Sequence, residues 1–186
     1  MASKPIKITF TLDETEAEFF RDLYRKAKRN AASQSAEEIV GEVRGLITRV
    51  RSSKKVPAIV SETMVTLETL ILMLEDDDYN LPKAVAGDAI AALAYFANPA
   101  DLIPDHLPGF GFLDDAVMIK FVEEEFKHEV WAYNKFRSFR DGAEQRPWTA
   151  IARQRLPQRL IEHRKQLRAE VEKRKSAETE KRKFLW

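Results

Sequence analysis

The hydrophobic and polar positions of this chain follow two different periods. Over the first twelve residues every second position is apolar from Ile6 onward, at Ile6, Ile8, Phe10 and Leu12. This alternation predicts a half-buried β-strand over residues 6–12. From Asp13 onward, apolar residues recur every three or four positions, which is typical of amphipathic helices.

Five helices are predicted from the helical spacing. They begin near Asp13, Ser35, Pro57, Pro82 and Asp114. Ser35 is followed three residues later by Glu38, which predicts a capping box, and proline is favoured in the first turn of a helix. The third helix should end at the acidic run 75–78, which we expect to be a solvated loop because carboxylates oppose the dipole at a helix C-terminus. The fourth should end before Pro99, and the fifth at Asp141-Gly142.

Charge is divided unevenly along the chain. Up to Gln145 there are 18 lysines and arginines against 25 aspartates and glutamates, and from Arg146 onward there are 13 against 5. The basic tail also carries a narrow apolar stripe at helical spacing: Leu156, Leu160, Leu167 and Val171. We therefore predict an all-α fold, in which a compact domain of about five helices with a short N-terminal strand occupies residues 1–145. A basic helical extension follows over residues 146–186.

The sequence leaves open which surface the basic extension contacts. It could dock on the acidic body of its own chain or of a dimer mate, since opposite charges attract. It could equally contact an anionic membrane, an unknown protein partner or nucleic acid, and a charge run is often only a solvated surface.

Composition excludes several classes of protein. The chain has no cysteine, which rules out disulfide frameworks and thiolate metal sites. Residues 1–10 lack the apolar run of a secretory signal, and the most hydrophobic segments, 64–74 and 84–97, are shorter than the roughly 18 to 20 apolar residues that span a bilayer. A cytoplasmic location is therefore expected.

The single predicted strand has consequences for assembly. Its backbone N–H and C=O groups need partners, and the same strand of a second copy would supply them across a twofold axis, so we predict a homodimer. A strand followed by two helices also resembles the ribbon-helix-helix DNA-binding fold, in which Lys7, Thr9 and Thr11 would enter the major groove. Because this part of the chain is acidic and phosphate attraction dominates DNA affinity, DNA binding is the weaker interpretation.

Residues 98–115 contain more aspartates, prolines and glycines than an ordinary connection between two helices requires. The segment contains four aspartates, Asp101, Asp105, Asp114 and Asp115, and a set of residues that shape turns: Asn98, Pro99, Pro104, Pro108, Gly109 and Gly111. On a structural interpretation, Asn98 and Pro99 start a short helical turn, and Asp114 and Asp115 cap the fifth helix. The segment would then be a rigid corner, held to the core by Leu102, Ile103, Phe110 and Leu113.

A functional interpretation of the same segment is that the four carboxylates converge. All-oxygen ligands suit a hard ion such as Mg²⁺, Mn²⁺ or Ca²⁺, and His106 could add a nitrogen. A third interpretation makes the corner a surface that binds a partner. Glu125 and His128 have the spacing of a di-iron ligand pair, but the second copy that such a site requires is missing. No other catalytic motif is present, and no organic cofactor is expected.

The run from Asn98 to Asp115, with its Asn-Pro-Ala-Asp-Leu-Ile-Pro-Asp and Leu-Asp-Asp elements, resembles the signature of the YkvA-like family, also called DUF1232. The resemblance covers residues 84–121. It implies a small helical protein without an assigned activity, and it adds membrane association as an alternative location. We therefore expect a non-enzymatic helical interaction or scaffold module that is a homodimer. The alternatives are a divalent-metal-dependent hydrolase that uses the four aspartates and a DNA-binding protein.

Overall fold

The computed structural model describes residues 11–31, 34–53, 56–97, 103, 107, 110–144 and 150–184. Within these ranges the chain forms six helices: α1 Glu14–Asn30, α2 Ala36–Ser52, α3 Ala58–Glu75, α4 Lys83–Leu93, α5 Leu113–Glu144 and α6 Ala150–Phe184. The predicted all-α class is confirmed, and the basic tail forms the sixth helix.

No strand occurs in the described part of the chain. Residues 6–10 lie outside it, and Thr11 and Leu12 enter α1 without regular secondary structure, so the predicted strand is wrong over these last two positions. The carboxylate of Asp13 accepts the Glu16 N–H at 2.8 Å, and Glu16 accepts the Asp13 N–H at 2.9 Å. This capping box begins the helix directly after Leu12. Homodimerisation and DNA contact by Lys7, Thr9 and Thr11 remain predictions.

Local signals set most helix starts. The capping box of Ser35 and Glu38 is confirmed, with bonds of 2.8 and 3.2 Å. Pro57 and Pro82 each lie one residue before their helix rather than inside its first turn.

The predicted end of α5 is wrong, and the predicted end of α4 before Pro99 is confirmed. Helix α5 continues through Gly142 to Glu144, because Ala143 is buried and packing holds the last turn in place. Helix α4 ends at Leu93, and a turn over residues 94–97 follows it well before Pro99.

Helix α3 lies at the centre of the bundle and is apolar on nearly every side. Val60, Leu67, Leu70 and Met73 are fully buried, as expected for a helix surrounded by others. It packs most extensively on α5 and also contacts α2 and α4. Thr66 of α3 bonds Glu123 of α5, and Asp76, directly after α3, bonds Tyr133 farther along α5. The two helices are therefore parallel, and their first turns lie at the same end of the bundle.

The acidic run 75–78 is exposed at Glu75, Asp77 and Asp78, as predicted, but Asp76 is not. Asp76 has a side chain only 8% exposed, and it forms two bonds of 2.8 Å with the Arg140 guanidinium. It also accepts the Tyr133 hydroxyl at 3.1 Å and the backbone N–H of Tyr79 at 3.0 Å. The three bonds from Arg140 and Tyr133 fasten the α3–α4 connection to α5, and the bond from the Tyr79 N–H closes a turn within the connection.

The Asp76 carboxyl should give the protein an acid-sensitive contribution to stability. Burial by itself would raise its pKa, but the bonds from Arg140 and the Tyr79 N–H outweigh burial and lower the pKa below the ordinary value. A lowered native pKa stabilises the fold above the unfolded-state pKa of about 3.9, and this contribution disappears as the pH falls through the native value. In urea unfolding, the wild type should therefore lose more stability between pH 7 and pH 3 than Asp76→Asn does. An equal loss in both proteins would contradict this, and the exposed Asp77→Asn should behave as wild type.

Helix α6 runs antiparallel along α5 of its own chain. Its apolar stripe is confirmed as a buried face at Leu160, Leu167 and Val171. Lys127 bonds Glu178 at 2.7 Å, and Lys175 bonds the buried Glu129 at 2.7 Å.

Arginine side chains on the face of α6 that packs against the bundle also form specific contacts. Arg164 donates to the backbone carbonyl of Asp78 at 2.7 Å, and Arg168 donates to the carbonyls of Tyr79 and Asn80. The guanidinium of Arg174 lies 3.6 Å from the centre of the Trp131 ring. The tail therefore docks in cis, one of the alternatives that the sequence leaves open. Its contact with a membrane, protein or nucleic acid stays a prediction.

Candidate functional site at the signature corner

The corner between α4 and α5 is described in part. Asn98, Pro99, Asp101, Pro104, Asp105, His106, Pro108 and Gly109 lie outside the described residues. Ile103, Leu107 and 110–115 are described. Of the four predicted metal-binding aspartates, the structure therefore describes Asp114 and Asp115, which lie in the first turn of α5.

Asp114 fastens the corner to α5. Its side chain is 4% exposed, and its Oδ2 atom accepts the backbone N–H of Ile103 at 3.1 Å. Helix α5 begins at Leu113, and the carbonyl of Phe112 accepts the Ala116 N–H at 3.0 Å, so Asp114 and Asp115 lie inside its first turn rather than before it. Both carboxylates still lie where the helix dipole favours negative charge.

The turn before α5 contains a strained residue that the sequence did not indicate. The N–H groups of Phe110 and Gly111 donate to the carbonyl of Leu107 at 3.2 and 2.9 Å. Phe112 follows with φ of 66°, a left-handed conformation that costs a non-glycine residue about 1–2 kcal/mol. Burial of its ring, which is 4% exposed, offsets that cost. The chain therefore uses Phe112 where turn chemistry alone would favour glycine, because the ring fills space in the core.

No group of three or more histidines, aspartates or glutamates within the described ranges is placed to hold a metal ion. Because Asp101 and Asp105 lie outside these ranges, binding of Mg²⁺, Mn²⁺ or Ca²⁺ at the corner remains a prediction.

Glu125 and His128 take part in contacts between helices. Glu125 accepts the Tyr24 hydroxyl at 2.8 Å and pairs with Lys28 at 2.6 Å, while His128 lies 2.8 Å from Glu178 of α6. Burial, together with the adjacent Glu125 carboxylate, raises the pKa of Tyr24 well above its ordinary value. The phenol therefore stays a neutral hydrogen-bond donor that joins α1 to α5.

The end of the bundle that carries the corner exposes apolar side chains. We call this surface the apolar end, defined by Leu12, Ile59, Leu107 and Phe110, which are 38%, 49%, 41% and 51% exposed. The expectation that Phe110 packs on the core is therefore wrong, while Ile103 and Leu113 are half-buried.

A groove of about 340 Å³ opens beside these side chains. Its apolar lining is formed by Leu12, Ile59, Ile103, Leu113, Val117 and Phe121. Lys120 and the buried Asp114 also line it. No pattern in the sequence indicates this groove, because its residues come from the starts of α1, α3 and α5 and from the corner, which meet only in the folded chain.

Comparisons with known proteins identify this same region. Residues 89–121 match a family model described as "Protein of unknown function (DUF1232)". A Bacillus subtilis (strain 168) protein described as "Uncharacterized membrane protein YkvA" is 40% identical over 47 residues, which are 25% of this chain and 44% of that relative. The match thus spans less than half of the relative's length.

No solved structure matches the chain. Among the helices that the structure describes, none combines the length and apolar character needed to cross a membrane. The resemblance noted in the sequence is confirmed over the matched segment. Residues 89–121, which run from α4 through the corner into the first turns of α5, match the DUF1232 family model, and the chain is similar to YkvA.

Proposed function

We propose that this protein is a non-enzymatic interaction module whose apolar end docks on a membrane surface. The observation that carries the proposal is the exposure of Leu107 and Phe110 in the turn that precedes α5, whose first residue, Leu113, lines a groove together with the exposed Ile59 of α3. Clustered exposed apolar side chains mark interaction surfaces on soluble folds. A bilayer interface accepts such side chains without requiring a matching protein pocket.

The description of the relative supports a membrane as the partner. That protein is called a membrane protein, and the family segment in this chain contains the turn that carries Leu107 and Phe110. Two of the four side chains that define the apolar end, Leu107 and Phe110, thus lie within the segment that matches the family model.

The remaining surface favours this end over α6 as the point of contact. The apolar side chains Leu160, Leu167 and Val171 already pack on α5. The outward side of α6 mixes exposed Lys165 and Lys173 with Glu162 and Glu172. Insertion by α6 would require it to leave α5, whereas Leu107 and Phe110 are exposed with the fold intact.

Vesicle binding tests this function directly. The wild-type protein should cosediment with vesicles of phosphatidylcholine and phosphatidylglycerol, and the double variant Leu107→Asp, Phe110→Asp should bind at least about tenfold more weakly. Two large side chains contribute about 1.5–3 kcal/mol each when they are fully removed from water, so even partial insertion exceeds a tenfold effect.

The matched control is Leu72→Asp. Leu72 is 44% exposed, and it lies thirteen residues, or about 20 Å, along α3 from Ile59. It should leave vesicle binding unchanged. Absence of binding by the wild type, or an equal loss in the control, would refute membrane docking through the apolar end.

A further inference from the structure

Helix α1 carries an exposed aromatic side chain outside the apolar end. Phe19 is 53% exposed, and its ring meets the ring of Phe20 edge to face, with 5.6 Å between the centroids. Phe20 is half-buried and packs against the core, while Tyr24, five residues after Phe19, is buried. Because five residues rotate the helix to about 140° from the starting direction, Phe19 points away from the bundle. Its ring is therefore held on the outer surface by Phe20.

Helix α1 begins at the apolar end and runs alongside α5. Leu12, directly before the N-cap of α1, lines the groove together with Leu113 of α5. Farther along both helices Tyr24 bonds Glu125 at 2.8 Å, so the two helices leave the apolar end in the same direction. Phe19 is the sixth residue of α1, about 8 Å from its start. Exposed apolar surface thus continues from the apolar end along the outer side of α1.

Two cations near the end of α1 are available to an anionic partner. Lys26 and Arg29 are exposed and form no ion pair with the described residues. The ion pairs of α1 use its other basic side chains: Arg21, Arg25 and Lys28. These pairs and the capping box engage the acidic residues of the helix: Glu14, Glu16, Glu18 and Asp22. Lys26 follows Phe19 by seven residues, about two helical turns, and therefore shares its outer face.

We propose that α1 is a second membrane contact, which lies along the bilayer surface with Phe19 inserted and with Lys26 and Arg29 beside anionic head groups. Interfacial helices combine inserted aromatic or leucine side chains with lysines and arginines that attract anionic lipids. This inference rests on the proposed membrane docking. It adds a lipid class, the anionic phospholipids, and an orientation in which the side of the bundle formed by α1 faces the bilayer.

Vesicle cosedimentation with matched charge variants tests the two cations. On vesicles of phosphatidylcholine and phosphatidylglycerol, Lys26→Gln, Arg29→Gln should bind about 25-fold more weakly than wild type, since each cation near an anionic surface contributes about fivefold. On phosphatidylcholine alone, this double variant should match wild type. The control Lys165→Gln, Lys173→Gln removes two exposed cations from the outward side of α6 and should bind both kinds of vesicle as wild type does. Equal weakening in both double variants would reduce the effect to net charge and overturn the proposed contact.

Insertion of the aromatic side chain is tested separately. Phe19→Asp should weaken binding to both kinds of vesicle at least about fivefold, because a large apolar side chain then no longer leaves water. The chain has no cysteine, so Thr15→Cys, one turn before Phe19, can carry a single environment-sensitive fluorophore and keeps the test decisive if Phe19→Asp folds poorly. Its emission should shift to the blue on vesicles, and that of a label on Lys173→Cys should not. An unshifted label at position 15 on vesicle-bound protein would overturn the contact.

The double variant Leu107→Asp, Phe110→Asp distinguishes the two proposals. We expect it and the α1 variants to weaken vesicle binding independently. Loss of binding in this variant alone, with Phe19→Asp and Lys26→Gln, Arg29→Gln binding as wild type, would refute the α1 contact and leave docking through the apolar end. Loss of binding in the α1 variants alone would refute docking through the apolar end and leave α1 as the membrane contact. Absence of vesicle binding by the wild type would refute both.

Discussion

Replacing Asp76 with alanine should lower the free energy of unfolding by about 3–4 kcal/mol. The carboxylate is 8% exposed and bonds Arg140 through both oxygens, and it also accepts bonds from Tyr133 and the Tyr79 N–H. Removing one partner of a largely buried pair costs about 3–5 kcal/mol, because the remaining charge and donors lose their acceptor. Urea unfolding at pH 7 measures the effect.

The neighbouring Asp77 gives a matched control, since it belongs to the same acidic run and is exposed. Asp77→Ala should change stability by less than about 0.5 kcal/mol. A double-mutant cycle with Arg140→Ala should show that the two losses are not additive. Equal small losses for Asp76→Ala and Asp77→Ala would mean that the Asp76 network contributes little to the fold.

Asp76 also shows where prediction from sequence stops. Helix starts such as that of α2 could be predicted because Ser35 and Glu38 interact within one turn, and local spacing contains all the information. The role of Asp76 depends on Tyr133 and Arg140, which lie 57 and 64 residues away in the chain. From sequence alone, four consecutive acidic residues predict a solvent-exposed segment. Only the folded chain shows that one of them, Asp76, lies beside the Arg140 guanidinium.

In the candidate site, too, the sequence indicates some features, and others depend on contacts that exist only in the folded chain. The composition of residues 98–115 marks the corner as unusual, and the buried position of Asp114 agrees with a structural role for that carboxylate. Its acceptor function toward Ile103 and the exposure of Phe110 depend on the angle at which the corner meets α5. That angle is set in part by the left-handed Phe112, a backbone choice that no local propensity favours.

The spacing of apolar residues in the basic tail predicts an amphipathic helix, but it leaves the partner of that helix open for a physical reason. Arg164 and Arg168 donate to backbone carbonyls of residues 78–80, and every residue type presents such acceptors equally. Charge complementarity indicates an acidic surface in general. Charge complementarity does not identify the backbone carbonyls of residues 78–80, in the connection between α3 and α4, as the acceptors.

Replacing Leu167 with aspartate should release α6 from the bundle. Leu167 is 5% exposed between Arg164 and Arg168, and burying an unpaired carboxylate there is far less favourable than exposing it. Loss of the buried leucine side chain alone costs about 2–5 kcal/mol. We therefore expect the free energy of unfolding to fall by at least about 3 kcal/mol, with the apolar face of α6 no longer packed on α5.

Limited trypsin digestion separates release of α6 from general destabilisation. Arg164, Arg168 and Lys175 contact α5 or the connection at 78–80, so wild type should resist cleavage there, and Leu167→Asp should be cut first within α6. Gln166→Asp introduces the same charge at the adjacent exposed position and should keep the wild-type pattern. If Leu167→Asp resists trypsin as well as Gln166→Asp does, α6 is not held by its apolar stripe. The polar contacts of α6, which include the Lys175–Glu129 and Glu178–Lys127 ion pairs, would then have to hold it, and stability should fall with added salt.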